Sequence, residues 1–215
     1  MRNPTQLTKL RSNSARDVLS LLVVVAAAFA LIAAVPVTAG AGDVAGPQDR
    51  TLTEVDESIE PTDGTNVTII QYNDIQTAMS NNESVGRLVG AINDRRAAAD
   101  GPTIVVGGGD EVSPSSLSAV SEWRVPVDVL NVLQPDAEVV GNHDLDYGFG
   151  PVSNFSEASE FPWLLANVEA EDGSNVPGTQ DYTTVERDGV TIGIMGLVDD
   201  DIKGKTAVDF DEAGY

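Results

Sequence analysis

Residues 139–148 read Val-Val-Gly-Asn-His-Asp-Leu-Asp-Tyr-Gly. This stretch contains His143, the only histidine in 215 residues, between Asn142 and Asp144, with Asp146 two positions further on. A short β-branched run that ends in Gly-Asn-His predicts a strand followed by a polar loop, and open α/β sheets place their sites on such loops. Taken alone, the stretch is equally consistent with a solvated surface turn, because Asn, Asp and Gly favour turns without any function.

The side chains of this loop suit metal and acid–base chemistry. Asn142 offers an amide oxygen, which a hard cation accepts as a ligand. His143 is able to act as a general acid or to stabilise a developing charge. Asp146 is close enough in sequence to accept a hydrogen bond from the imidazole and so fix its tautomer.

The composition limits the function classes. The apolar fraction of 41% is enough to build a core, and the absence of cysteine excludes disulfides, thiolate metal sites and cysteine nucleophiles. The formal net charge of -22 argues against binding a nucleic-acid polymer or an anionic lipid through a basic patch.

Residues 49–215 carry 32 Asp and Glu against 8 Lys and Arg. Because concentrated salt screens such self-repulsion, we expect a salt-adapted, halophilic protein. An acidic calcium-binding surface is disfavoured, since no Asp-x-Asp-x-Asp-Gly loop is present.

The first 41 residues predict export. Residues 1–17 are basic, residues 18–35 are apolar apart from Ser20, and small residues follow at 37–41. This order describes a secretory signal. The apolar run is long for a cleaved peptide and, at about 18 residues, just long enough for an uncleaved membrane anchor. We favour cleavage, with the product extracellular or on the cell surface and with any membrane contact made only through this segment.

An acidic segment rich in Gly, Pro, Thr and Asp, residues 42–65, then predicts a flexible linker. From Asn66 onwards strands and helices are expected to alternate. The expected strands are 67–72, 103–106, 137–140, 163–168, 182–186 and 190–198, and the expected helices begin at Ser84, lie within 125–133 and lie near 151–159. The order strand, helix, strand, helix, strand indicates a parallel sheet with right-handed crossovers. Asp188-Gly189 predicts a hairpin between the last two strands.

Each of the first three strands ends in a loop that bears an Asp or Asn side chain. Asp74 follows the first strand, Asp110 the second and Asn142 the third. Because loops that follow parallel strands gather at one edge of the sheet, we expect these three side chains to converge there.

These loops resemble those of a known family. The chain carries Asn73-Asp74-Ile75-Gln76, then Gly109-Asp110, then Gly141-Asn142-His143-Asp144-Leu145-Asp146-Tyr147-Gly148. In that order they are similar to the motifs of the calcineurin-like metallophosphoesterase domain of secreted 5′-nucleotidases and 2′,3′-cyclic phosphodiesterases. The resemblance implies an α/β fold, a layered sandwich of mostly parallel sheets with flanking helices. The implied substrate is a nucleotide or another small phosphoester, and the oligomeric state is not predicted.

The resemblance also implies roles for individual residues. Asp74 becomes a ligand of one metal ion, Asp110 the carboxylate that bridges two ions, and Asn142 a ligand of the second. His143, paired with Asp146, faces the phosphoryl group and assists the leaving oxygen. Two divalent ions such as Mn, Zn or Mg, about 4 Å apart, are suited to an in-line phosphoryl displacement.

Two departures from the family pattern affect these expectations. Gln76 stands where the family has a histidine, and its amide oxygen is a poorer ligand than imidazole for zinc-like ions, so we expect a weaker first metal position or a shift towards manganese or magnesium. The family's remaining ligands are histidines further downstream, and a separate C-terminal domain grips the base. We therefore expect residues 66–215 to be the N-terminal part of such a domain, incomplete at the C-terminus and weakly active or inactive as an isolated chain.

Three other interpretations stay open. The first is a non-catalytic module that binds a nucleotide or metal. The second is a dinucleotide-binding oxidoreductase, suggested by Gly189, Gly193 and Gly196, although these glycines do not open a helix. The third is an acidic structural protein of the cell surface. Beyond these, Asp199-Asp200-Asp201 is either a solvated loop, which we favour, or a segment near the rim of the site. We expect the hydroxyls of Ser113, Ser115 and Ser116 to cap the next helix.

Overall fold

The computed structural model of the chain describes residues 65–215 and the backbone of one strand near the N-terminus, β1 (Ser20–Ala27). The predicted export segment, 1–41, and linker, 42–65, otherwise lie outside the described residues, so both stay predictions. β1 falls within the apolar run of the predicted signal. In the part of the chain that the structure describes, no helix is both long enough and apolar enough to cross a bilayer.

A wholly parallel sheet of five strands forms the centre of the fold. Its strands, in spatial as well as chain order, are β2 (Thr68–Tyr72), β3 (Thr103–Gly107), β4 (Ala137–Val139), β5 (Trp163–Leu164) and β6 (Thr179–Gln180). The short β-branched runs of β2 and β3 suit a buried pleated surface. Parallel pairing requires crossover connections, which helices supply as far as β5, whereas residues 165–178 between β5 and β6 contain no helix.

Residues 65–215 contain five helices: α1 (Asn82–Ala98), α2 (Ser118–Ser121), α3 (Arg124–Leu133), α4 (Gly150–Ala158) and α5 (Phe210–Ala213). Three predicted helices are thus confirmed, and α2 and α5 were not predicted. The Asn81 side chain caps α1 by accepting from the backbone N–H groups of Glu83 and Ser84 at 3.0 and 3.1 Å. Short 3₁₀ turns cover Ala78–Ser80, His143–Leu145 and Ile202–Gly204.

A second sheet contains β7 (Tyr182–Arg187) and β8 (Val190–Val198), which pair antiparallel as predicted. Asp188 and Gly189 form the turn with positive φ angles of 51° and 81°. On its other side β8 pairs in parallel with β1, with Ser20 opposite Thr191 and Ala27 opposite Val198. Gly189, Gly193 and Gly196 therefore belong to a hairpin turn and a strand, which is the wrong context for a dinucleotide-binding loop.

The two sheets and the helices enclose two apolar layers. The layer between the sheets contains Ile104, Val106, Ala137, Val139, Leu164, Val190, Ile192 and Ile194. The layer between the large sheet and the helices includes Val105, Leu130, Leu133, Val152, Phe155 and Trp163. Alternate residues of β3 and β5 thus face opposite layers, which is the layered α/β sandwich expected from the sequence.

The predicted strand 163–168 is wrong in its length. β5 ends at Leu164, and Ala166 donates its backbone N–H to the Gly196 carbonyl of β8 at 2.8 Å. The chain therefore passes from one sheet towards the other at this point. A Cβ atom on Gly196 would overlap with Leu164, so the missing side chain is what permits this close approach between the sheets.

Candidate active site

Three loops follow the carboxyl ends of β2, β3 and β4, and the structure brings them together. We refer to residues 73–77 as the first loop, 108–117 as the second and 140–149 as the third. Gly108 donates its N–H to the Tyr72 carbonyl at 2.8 Å, and Asp74 donates to the Gly109 carbonyl at 3.1 Å, which joins the first loop to the second. The N–H of His143 donates to Asp110 Oδ1 at 2.8 Å, which joins the second loop to the third.

Asp144 organises the second and third loops. Its Oδ1 accepts from the N–H groups of Glu111 and Val112 at 2.9 and 2.8 Å, and its Oδ2 accepts from Asp110 and Gly141 at 2.9 and 2.8 Å. The residue is only 2% exposed. Burial raises the pKa of Asp144, and the four N–H donors act in the opposite direction by stabilising the carboxylate. Asp144 was assigned no function from the sequence, although its place between His143 and Asp146 was a signal that it belonged to the site.

Asp110 lies buried where the second and third loops meet. Burial, together with the negative charge of Asp144, raises the pKa of Asp110 to about 6, and the hydrogen bond from the His143 N–H opposes the rise. Its backbone has a positive φ of 63°. A Cβ atom on Gly141 would overlap with the Asp110 carboxylate, so glycine at 141 is required for this packing.

Asp74 and Gln76 lie on the first loop. Asp74 is exposed, has a positive φ of 55°, and accepts a hydrogen bond on Oδ2 from the Asn73 amide. Asx residues tolerate this left-handed conformation better than most side chains. Gln76 is half-buried and, within residues 65–215, has no side-chain hydrogen bond to Asp74, Asp110 or Asn142. The structure therefore joins the loops that carry Asp74, Asp110 and Asn142 at one edge, and Gln76 lies on the first of these loops.

His143 and Asp146 form the predicted side-chain pair. Nδ1 of His143 lies 3.2 Å from both carboxylate oxygens of Asp146, and the two side chains are 32% and 26% exposed. An ionised Asp146 holds the proton on Nδ1, which leaves Nε2 available to a ligand. Ser113 donates its hydroxyl to Asp146 Oδ2 at 2.8 Å. Helix capping, predicted for three serines, is therefore wrong for Ser113, whereas Ser115 Oγ does accept the N–H of Ser118 at 2.9 Å.

Asn142 is oriented by the segment that follows β8. Its Nδ2 donates to the Lys205 carbonyl at 2.9 Å, so its Oδ1 stays available as a ligand. The Lys205 ammonium pairs with Asp199, which lowers the pKa of that carboxyl through a side-chain hydrogen bond. Asp199 therefore lies near the rim of the site, which was the alternative to the solvated loop, whereas Asp200 and Asp201 are exposed.

The donors at this edge are all oxygens, from the carboxylates of Asp74 and Asp110 and from the amides of Asn142 and Gln76. Oxygen ligands suit hard cations such as Mg²⁺ and Mn²⁺ better than they suit zinc. Within the described residues, no three His, Cys, Asp or Glu side chains gather as a complete metal cage. The residues present thus fit part of a coordination sphere for a hard divalent ion.

Comparison of sequences supports a relationship with nucleotidases over about half of the chain. No family model matches. A 5′-nucleotidase-related protein of Glossina morsitans morsitans is 25% identical over 104 residues, which is 46% of this chain and 18% of the relative. Protein UshA of Yersinia enterocolitica is 27% identical over 114 residues, or 53% of this chain and 20% of the relative.

Solved structures of phosphoesterases are similar to a longer part of the chain. The calcineurin-like phosphoesterase YfkN of Bacillus subtilis superposes with a TM-score of 0.56 at 20% identity, over 70% of this chain and 52% of that one. The chain has the calcineurin-like phosphoesterase fold. A 5′-nucleotidase precursor of Thermus thermophilus superposes on this phosphoesterase fold with a TM-score of 0.55 at 23% identity, over 64% of this chain and 29% of that one.

The resemblance named from the three loops is therefore confirmed, and so is the fold class. The chain spans about a fifth of the length of the curated relatives it matches. The activity, the substrate and the metal content of the chain are therefore proposals.

Proposed function

We propose that this chain supplies the metal-binding edge of an exported, metal-dependent phosphoesterase that hydrolyses nucleotide phosphomonoesters. The observation that carries the proposal is the junction of the second and third loops, where His143 donates its N–H to Asp110 and presents an imidazole fixed by Asp146. The similarity to nucleotidases supports the choice of substrate class.

Asp74 and Gln76 would hold one divalent ion, Asn142 the other, and Asp110 both. Bound ions of this kind lower the pKa of a coordinated water and stabilise the charge of a phosphoryl group. Gln76 and the oxygen-only donor set favour Mn²⁺ or Mg²⁺ over Zn²⁺. The Lys205 carbonyl holds the Asn142 amide so that its oxygen, and not its nitrogen, is free for a ligand.

His143 acts on the leaving group. Asp146 accepts from Nδ1, and Ser113 holds Asp146 from the other side at 2.8 Å, so the ring has a fixed orientation. When both ring nitrogens carry a proton, Nε2–H donates its proton to the leaving oxygen of the ester, or stabilises the negative charge that develops there, and Nδ1 keeps the proton that Asp146 accepts. Asp146 keeps the ring in the tautomer and orientation needed for this step.

Export and salt adaptation complete the proposal. Export is supported by the basic, apolar and small-residue order of positions 1–41, and salt adaptation by 34 acidic against 12 basic residues. A second candidate function, a module that binds a nucleotide or metal without catalysis, is favoured by the incomplete ligand cage within residues 65–215.

The test is phosphate release from 5′-nucleotides in concentrated salt with Mn²⁺, Mg²⁺ or Zn²⁺ added in turn. Metal-dependent turnover that His143→Ala abolishes, and that the exposed variant Glu186→Gln retains, supports the phosphoesterase, and robust turnover contradicts the expectation that the isolated chain is weakly active or inactive. Calorimetric binding of nucleotide without turnover supports the binding module. A chain that neither binds Mn²⁺ nor hydrolyses any nucleotide refutes the proposal.

A further inference from the structure

Two glutamates near the three loops are fully buried, one within the second loop and one on β4. Glu111 and Glu138 are both 0% exposed. Burial raises the pKa of each well above its usual value. The negative charges of Glu138 and Asp144 raise the pKa of Glu111 further. Glu111 Oε1 and Glu138 Oε2 have no hydrogen-bond partner in the part of the chain that the structure describes. Because a buried carboxyl is unfavourable unless its hydrogen bonds compensate, the contacts that these two residues do make are informative.

The other oxygen of Glu111 extends the link between the first and second loops. Two backbone hydrogen bonds join them, from Gly108 to Tyr72 and from Asp74 to Gly109. Beyond these, the N–H of Ile75 donates to Glu111 Oε2 at 3.3 Å. The Glu111 side chain thus supplies a third hydrogen bond in the series, immediately after Asp74.

This third bond lies where the backbone is strained. Asp74 and Asp110 both have positive φ angles, of 55° and 63°. Non-glycine residues hold such conformations only where the surrounding structure enforces them. Two hydrogen bonds hold the backbone at Asp74. The Asp74 N–H donates to the Gly109 carbonyl, and the Ile75 N–H donates to the Glu111 carboxyl.

Glu138 holds the strand that leads into the first loop. It lies opposite Gly107 in the pairing of β3 with β4, and a Cβ atom on Gly107 would overlap with its carboxylate. The carboxylate therefore lies across the end of β3, where the Tyr72 hydroxyl donates to its Oε1. Tyr72 is the last residue of β2 and precedes Asn73 and Asp74.

We propose that Glu111 and Glu138 are positioning residues that hold the first loop against the second, so that Asp74 faces Asp110 before an ion binds. This rests on the proposed function, because it assumes that Asp74 and Asp110 are metal ligands. Neither glutamate is itself given a ligand role.

A positioning role and a purely structural role predict different results. An apolar side chain of similar volume avoids the cost of burying a carboxyl, which offsets the loss of the hydrogen bond from Ile75. Glu111→Leu removes the acceptor of the Ile75 N–H, so metal affinity falls while thermal stability is retained. Glu111→Gln keeps an oxygen acceptor for the Ile75 N–H, so it shows whether that hydrogen bond carries the effect.

The experiment measures Mn²⁺ affinity by electron paramagnetic resonance of free Mn²⁺, with the unfolding temperature of each variant, in concentrated salt. We expect Glu111→Leu to bind Mn²⁺ about 10- to 100-fold more weakly, the loss typical when the group that orients a ligand is removed. Glu111→Gln and the exposed control Glu186→Gln are expected to bind close to wild type. Tyr72→Phe, which removes only the hydroxyl donor to Glu138, is expected to lose about tenfold.

Wild-type affinity in Glu111→Leu, or equal losses in Glu111→Leu and Glu111→Gln, would overturn the inference. If Glu111→Leu does not fold, Tyr72→Phe decides, and wild-type affinity in that variant overturns the role of Glu138 and the inference with it. A wild-type chain that binds no Mn²⁺ overturns the proposed function as well, whereas failure of the positioning role alone leaves wild-type binding intact.

Discussion

Replacement of Asp144 by asparagine is expected to destabilise the fold strongly. The two oxygens of Asp144 each accept two backbone N–H groups, and these come from Glu111 and Val112 on one side and from Asp110 and Gly141 on the other. Asparagine has one oxygen and one NH₂ group. Two of the four N–H groups would therefore lose their acceptor and face a donor.

The magnitude follows from these two lost hydrogen bonds. A hydrogen bond to a charged group contributes about 1.5–3 kcal/mol, so the two together contribute about 3–6 kcal/mol. Part of this is offset, because burial raises the pKa of Asp144 and asparagine removes the buried charge. We expect a net loss of about 3 kcal/mol, a large share of the roughly 5–15 kcal/mol by which domains are stable.

Urea unfolding in concentrated salt at neutral pH measures this loss. Asp146→Asn is the matched control, since it makes the same chemical change two positions away on a carboxylate that is 26% exposed. It is expected to change the free energy of unfolding by less than about 1 kcal/mol. A loss below about 1 kcal/mol for Asp144→Asn, or one equal to that of Asp146→Asn, would refute the reasoning.

Three further predictions concern residues nearby. Gly107→Ala places a Cβ atom on the Glu138 carboxylate and should destabilise the fold by about 1–3 kcal/mol. In a double-mutant unfolding cycle, Glu138→Ala should recover part of this loss. Additive losses of the two substitutions would contradict the overlap. Gln76→His should raise Zn²⁺ affinity relative to Mg²⁺ in calorimetry, because imidazole is the better zinc ligand, and an unchanged ratio would remove Gln76 from the site. The pKa of Asp110 is raised from 3.8 to about 6, so the folded state holds this proton more tightly than the unfolded state does. Its contribution to the stability of the metal-free chain should therefore fall as the pH rises from about 4 to about 6, and Asp110→Asn should flatten that part of the unfolding profile.

The sequence predicted the alternation of strands and helices because β-branched runs and helical spacing are local signals. It also predicted the meeting of the loops that carry Asp74, Asp110 and Asn142, because parallel topology places successive loops at one edge. The length of β5 was not predictable in this way. Its end depends on the hydrogen bond between Ala166 and Gly196, which lie in distant parts of the chain.

The supporting residues of the site were harder to find. Glutamate is rarely buried, so burial of Glu111 and Glu138 runs against the usual expectation. One signal was present, since Glu138 interrupts the apolar run of 137–140. The bond from Ser113 to Asp146 gave no such signal, because it depends on how the second and third loops face each other.

The carboxylate of Asp144 joins loops that also carry proposed ligands, and it does so through the protein's own amides. A zinc finger, by contrast, has no stable fold until its ion arrives. In this chain the site would be folded before the ions bind, and the ions would be exchangeable. A chelator should accordingly remove them while the circular dichroism of the fold is kept, and the same folded molecules would then take up whichever hard cation the surrounding medium supplies.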